Sequence, residues 1–119
     1  MRKSDVSVAG IGVDILERER VQRIPDLRRF AEFFLTDPEL QELDTAADPI
    51  GFVASRFAAK EAVIKACPFP VGPHEFAVVK DGRKPTVRFL PPREDYAAFV
   101  SLSHSTKYVA GYAIVIECA

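Results

Sequence analysis

Glu61 and Lys65 stand four residues apart within Arg56-Phe57-Ala58-Ala59-Lys60-Glu61-Ala62-Val63-Ile64-Lys65-Ala66, a stretch rich in Ala and free of Gly and Pro. On a helix that spacing stacks a carboxylate and an ammonium on one face. The pair serves either as an i,i+4 salt bridge in its favoured order, Glu before Lys, or as two charges held ready for a ligand. Val53, Phe57 and Ile64 flank the stripe on one side, and Ala58, Ala62 and Ala66 on the other. A helix apolar on both sides of a charged pair is embedded, so the charges sit at a boundary or in a cleft. Asp14 lies near the end of the apolar run Val6 to Leu16. A carboxylate there must cap a segment, pair with a cation or bind a metal, and by itself it reads as a cap for the segment that follows. His104 follows Ser101-Leu102-Ser103 at the end of an extended stretch, where a period of two places both hydroxyls on the face opposite the imidazole. Its chemistry is generic until a partner is found for it.

The elements that must position these groups are legible in the punctuation. The central helix enters through Asp48-Pro49 and stops at Pro68. Val6 to Leu16 is β-branched and apolar with Gly10 and Gly12 inside it, which predicts a strand covered on both faces, with a bulge or a close approach at the glycines. Leu16 to Ile24 predicts a short exposed helix and Asp26 to Leu35 a second, amphipathic one. Thr36-Asp37-Pro38-Glu39 is a capping box that opens a third helix reaching about Leu43. Cys67-Pro68-Phe69-Pro70-Val71-Gly72-Pro73 is an irregular loop. Phe76 to Lys80 and Thr86 to Leu90 form a hairpin about Asp81-Gly82. Pro91 to Ala98 has room for a helical turn or two before Phe99 to His104 resumes an extended pattern. Tyr108 to Glu117, apolar on both parities, is the candidate central strand. Helices first and strands later predict an α+β domain spanning residues 1–119, with the first strand joining the later sheet.

Composition excludes several classes. The chain is 48% hydrophobic and 28% charged with a net charge of -1, so it has no bulk attraction to nucleic acid or membrane, and any basic surface must be local. One such patch is the five arginines from Arg18 to Arg29, although Glu17 and Glu19 offer internal partners. Cys67 and Cys118 match no metal spacing and are expected as reduced thiols. No apolar run approaches the roughly 20 residues of a membrane span, and Met1-Arg2-Lys3 lacks a secretory apolar stretch, which predicts a cytoplasmic protein.

In combination these residues name a family. Gly10-Ile11-Gly12-Val13-Asp14-Ile15-Leu16-Glu17, then Arg56 to Ala62 followed by Lys65-Ala66, then Ser101-Leu102-Ser103-His104 occur in that order. The chain thereby resembles the holo-acyl-carrier-protein synthases, the small 4′-phosphopantetheinyl transferases, from about Gly10 to Ile116. The resemblance implies their fold, a mostly antiparallel sheet against a long central helix with shorter N-terminal helices. It implies transfer of 4′-phosphopantetheine from coenzyme A to a serine of an acyl carrier protein, a step of fatty acid biosynthesis that releases adenosine 3′,5′-bisphosphate. Carried over by motif, Asp14 and Glu61 are ligands of Mg2+, and Asp14, or a metal-bound water that it holds, takes the proton of the carrier serine. A hard cation held by one or two carboxylates plus substrate phosphates suits phosphoryl transfer. Lys65 neutralises the leaving phosphate, and Arg56, Lys60, Lys65, Ser103 and His104 contact the phosphates and nucleotide of coenzyme A. Arg20, Arg23 and Arg29 dock the acidic carrier. Members form homotrimers with active sites between protomers.

The chain departs from the family in three places. Cys67-Pro68-Phe69-Pro70 replaces a glycine-containing turn whose N–H groups face phosphate, Gly82-Arg83-Lys84-Pro85 is one residue longer than the family's Gly-Lys-Pro turn near the nucleotide, and Pro91 to Ala98 is shorter than its usual helix. The first motivates an alternative, a carrier-binding module that keeps the fold without transfer activity. Retention of Asp14, Glu61 and Lys65 argues against it. A nucleic-acid-binding domain using Arg18 to Arg29 lacks a reader motif and net positive charge.

Overall fold

The computed structural model describes residues 5–118; Ser4, Ala119 and the Met1-Arg2-Lys3 start lie outside the described residues. The order is β1 (Val6–Glu17), α1 (Arg18–Gln22), α2 (Leu27–Glu32), α3 (Asp37–Asp44), α4 (Pro49–Ala66), a 3-10 turn at Pro73–Glu75, β2 (Phe76–Asp81), β3 (Lys84–Phe89), β4 (Tyr96–His104) and β5 (Tyr108–Cys118). The class is α+β, as the segregation of helical and extended patterns predicts. β1, β5 and β4 form an antiparallel three-stranded sheet with β5 in the middle, and β2 and β3 pair separately as a hairpin.

Helix α4 is where the two halves of the core meet. Its N-terminal half packs with Val21, Phe34, Leu35, Leu40 and Leu43 of the preceding helices. Its C-terminal half packs with Phe76, Val78, Phe89, Ala113 and Val115 of both sheets. Asp48 starts the helix by accepting a hydrogen bond from the Gly51 N–H at 3.2 Å, with Pro49 in the first turn. The capping box of α3 is present: the Thr36 N–H donates to Glu39 Oε1 at 2.7 Å.

The first strand differs from expectation. β1 is covered on one face only, by α4, and presents Ile11, Val13 and Ile15 to the outside at 61%, 58% and 67% exposure. Cross-strand register extends that apolar face through Tyr112, paired with Val13, and Phe99, paired with Ile114. A long apolar run does not distinguish a strand sandwiched within one chain from a strand whose second face awaits something outside it. Two smaller expectations also change. Residues 91–95 contain no helix, because the chain passes directly from β3 into β4. Asp14 does not cap α1, since Glu17 holds that position and Asp14 points its carboxylate at a cation on α4.

Candidate active site

The glycines of β1 set the depth at which α4 rests on the sheet. A Cβ at Gly10 would stand 1.9 Å from the Ala66 carbonyl oxygen, and one at Gly12 would stand 2.1 Å from that of Ala62 and 3.0 Å from Lys65 Cβ. Such separations exclude any side chain, so the helix lies directly on strand backbone. Gly111, the register partner of Asp14, likewise meets the Ala58 carbonyl. The helix therefore runs antiparallel to β1, Ala66 over Gly10 and Ala62 over Gly12, which brings the turn from Ala58 to Glu61 level with Asp14. Lys65 crosses the seam: its Nζ donates to Val13 O at 2.9 Å and to Asp14 Oδ1 at 3.3 Å. The Glu61–Lys65 salt bridge that spacing alone allows does not form. Glu61, one turn before Lys65 on the same stripe, makes no side-chain hydrogen bond or ion pair among the described residues.

Asp14 and Lys65 are thus brought together at the seam, and Glu61 lies on the same stripe of α4 one turn before Lys65. Two carboxylates with an ammonium already at one of them are a hard-oxygen donor set with affinity for cations. No third acidic, His or Cys group joins them among the described residues. That set fits a Mg2+ ion, which commonly takes one or two carboxylates and completes its shell with substrate phosphates and water.

Lys60 is a correction to the motif-based assignment. Its ammonium is 1% exposed and pairs with Glu39 at 2.9 Å, and it donates to the carbonyls of Pro73 and Phe76 at 2.6 Å each. All three of its protons are used inside the core, so it does not reach a ligand. Burial pushes its pKa down, opposed by Glu39. The Glu39 carboxylate also accepts from the Val78 N–H at 2.7 Å, so one buried pair ties α3, α4 and the β2 strand together. The sequence marks Glu39 only as half of a capping box; its second oxygen has a use that spacing along the chain does not reveal.

Arg56 lies in another place. Nine residues separate it from Lys65, which on an α-helix means about 180° of rotation and about 13 Å of rise. It lines a cleft between the facing edges of β3 and β4, floored by the first turns of α4, whose walls include Phe52, Ser55, Thr86, Arg88, Leu102 and His104. Asp14, Glu61 and Lys65 do not line it. Arg56 is 3% exposed, its guanidinium carbon stands 4.5 Å from the centroid of Phe52, and its Nε has no hydrogen-bond partner. Burial lowers its pKa, and the charges of Glu42 and Glu39 oppose that shift. Glu42 Oε1, in the same wall, is also without a partner.

His104 faces this cleft on the inner side of β4, opposite Val109, whereas Ser103 pairs with Ala110 on the outer side. The two are therefore not convergent within one chain, as the period of two anticipates. Next to His104 stands Asp48, held below the usual carboxylate range by a 2.7 Å hydrogen bond from Arg18 and by the Gly51 N–H. The cleft has a basic wall; the family resemblance puts its turn, Gly82 to Pro85, near the nucleotide, whereas sequence reasoning missed Lys80 and Arg88. Lys80, Arg83, Lys84 and Arg88 of the β2–β3 hairpin line it, and none is in an ion pair among the described residues. The Lys80 to Lys84 run could have signalled it.

The docking arginines are sorted by the fold. Arg28 is bound to Asp44 at 2.9 Å and Glu32 at 2.7 Å, and Arg18 to Asp48. Arg23 makes a 3.4 Å contact with Glu19 while both remain largely exposed. Arg20 and Arg29 are exposed without an ion-pair partner among the described residues. The proline-rich loop after Ala66 turns inward rather than toward the seam: the Phe69 ring lies 5.0 Å from Tyr96 and 5.9 Å from Phe89, with the Arg93 guanidinium 3.9 Å from its centroid.

Comparison with known proteins matches residues 10–115 to the family model of the 4′-phosphopantetheinyl transferase superfamily. A holo-[acyl-carrier-protein] synthase of Listeria monocytogenes serotype 4b is 36% identical over 117 residues, covering 91% of this chain and 98% of that protein. One from Chlorobium phaeovibrioides is 38% identical over 108 residues, covering 79% and 83%. The crystal structure of a holo-(acyl-carrier-protein) synthase from Bacillus anthracis in complex with CoA (3′,5′-ADP) superposes with a TM-score of 0.79 at 31% identity, covering 94% of this chain and 98% of that one.

Proposed function

The chain belongs to the 4′-phosphopantetheinyl transferase superfamily, and from that membership we propose that it transfers 4′-phosphopantetheine from coenzyme A to a serine of an acyl carrier protein. The reaction releases adenosine 3′,5′-bisphosphate and depends on Mg2+. The observation that carries this reading is the seam at which Lys65, one helical turn beyond Glu61 on α4, reaches Asp14 at 3.3 Å.

Asp14 and Glu61 would hold the metal, which when bound supplies charge neutralisation on the pyrophosphate. Asp14, only 18% exposed, keeps a carboxylate at the edge of solvent where it can accept the proton of an incoming serine hydroxyl. Lys65 places an ammonium within the same seam, where it can offset charge on the departing bisphosphate. Arg56 and His104, with the hairpin cations, offer the cleft on the other side of α4 as the seat of the nucleotide. A guanidinium that is buried and lacks an acceptor is suited to a phosphate oxygen. Ser103, on the outer face of β4, joins them only if a second protomer brings the two faces together.

That condition agrees with homotrimeric assembly. Within one chain the seam and the cleft lie on opposite sides of α4, so a ligand spanning both needs one side from a neighbour. The exposed apolar face of Ile11, Val13, Ile15, Phe99 and Tyr112 is suited to burial against such a neighbour. Arg20 and Arg29, with Arg23, are the cations left for the acidic carrier. No helix among the described residues is long and apolar enough to cross a membrane; we place the enzyme in the cytoplasm with its carrier substrate.

The test is mass spectrometry of an apo carrier protein after incubation with the chain, coenzyme A and Mg2+. The carrier serine should gain 4′-phosphopantetheine, and Asp14→Asn or Glu61→Gln should abolish the gain while far-UV circular dichroism is unchanged. Ordinary turnover by Glu61→Gln at limiting Mg2+ would remove the metal-ligand assignment.

A further inference from the structure

Lys65 emerges from α4 directly over Gly12, and the missing side chain there is what lets its stem cross the strand. Its ammonium then has a choice of carboxylates. Glu61, one turn back on its own helix, is the partner that helix geometry favours. The ammonium instead lies on Asp14 and on the neighbouring carbonyl of Val13. Among the described residues no other cation pairs with Asp14. The contact is open to exchange, because the Lys65 side chain is 52% exposed and the pair is long at 3.3 Å.

We infer that Lys65 is the resident counter-ion of Asp14, competing with a divalent cation for that carboxylate and yielding it when a phosphate draws the ammonium away. The inference rests on the reading of Asp14 and Glu61 as metal carboxylates. An ammonium and a divalent cation on one carboxylate repel each other, so the free protein binds the metal more weakly than its two carboxylates would allow. A phosphate entering beside Lys65 offers the ammonium a stronger partner and leaves Asp14 free. Binding of the two is thereby coupled, and the coupling is equal from either side. Lys65 is in this respect a positioning residue: before the substrate arrives it holds the Asp14 carboxylate toward the seam.

The experiment measures Mn2+ binding to the ligand-free protein by electron paramagnetic resonance of the free ion, with no carrier and no turnover. Lys65→Met keeps the stem that packs over Gly12 and removes the charge; it should tighten Mn2+ binding about tenfold. Lys65→Arg keeps the competing charge and should remain within about twofold of the unaltered protein. Glu61→Gln should weaken binding in either background. Unchanged or weaker Mn2+ affinity in Lys65→Met, with a normal thermal melt, overturns the inference while leaving the metal reading in place. Absence of Mn2+ binding from every variant, with coenzyme A present as well as absent, overturns both.

Discussion

Gly12 and Ala62 are in backbone contact: a single methyl group on residue 12 would stand 2.1 Å from the Ala62 carbonyl oxygen. The depth of α4 on β1, and so the reach of Lys65 to Asp14, depends on that contact. Gly12→Ala must push helix and strand apart, a change that costs about 1–3 kcal/mol or more where a core is overpacked. Thermal melting should show a drop on the order of 5 °C or larger. Gly72→Ala, where the nearest atom to an added Cβ is a Glu75 carboxylate oxygen at 3.5 Å, should melt within a degree or so of the unaltered protein. Equal melting of both variants would mean that the seam is not closely packed.

Lys60→Met leaves the buried Glu39 carboxylate without its cation, and breaking a pair of this kind from one side costs about 3–5 kcal/mol. Urea denaturation should show that loss, with coenzyme A affinity unchanged in protein that remains folded. A loss of coenzyme A affinity without a loss of stability would restore Lys60 to the ligand site.

Arg56→Ala tests the cleft. A charged contact to phosphate is worth about 1.5–3 kcal/mol, so coenzyme A binding should weaken roughly ten- to a hundredfold by isothermal titration. Unaltered affinity would place the nucleotide elsewhere.

Arg20→Glu should raise the carrier KM several-fold, more at low salt, with the coenzyme A KM unchanged. The same reversal at Arg28 should instead lower stability, because its guanidinium joins α2 to Asp44 of α3. Equal effects of Arg20→Glu on both substrates would point away from docking.

Val13→Glu places a charge on the outer apolar face without disturbing the inner one, because the two alternate along β1. On the proposed homotrimer, sedimentation velocity should show a trimer for the unaltered protein and a folded monomer for the variant, with transfer lost along with assembly. A trimer that survives the substitution is held together elsewhere.

The order of elements was legible in the chain because its signals are local. Pro49, Pro68, the capping box at Thr36 and the glycine of the hairpin act on neighbouring backbone, and α4 and α3 appear where they predict; the hairpin turns one residue later than expected, at Gly82-Arg83, because Asp81 still pairs with Lys84 and Gly82 takes the positive φ. Asp14, Glu61 and Lys65 were singled out by residue type and motif. What those residues touch was decided by the tertiary structure. Helical spacing offered Lys65 the carboxylate of Glu61, yet the glycines of β1 let the helix settle so close that Asp14, 51 positions away, became the partner. Lys60 and Lys65 look alike in sequence, but a few residues of helical rotation bury one against Glu39 and leave the other half in water. The apolar run of β1 stated that both faces avoid water, and only the packing shows that this chain covers one of them.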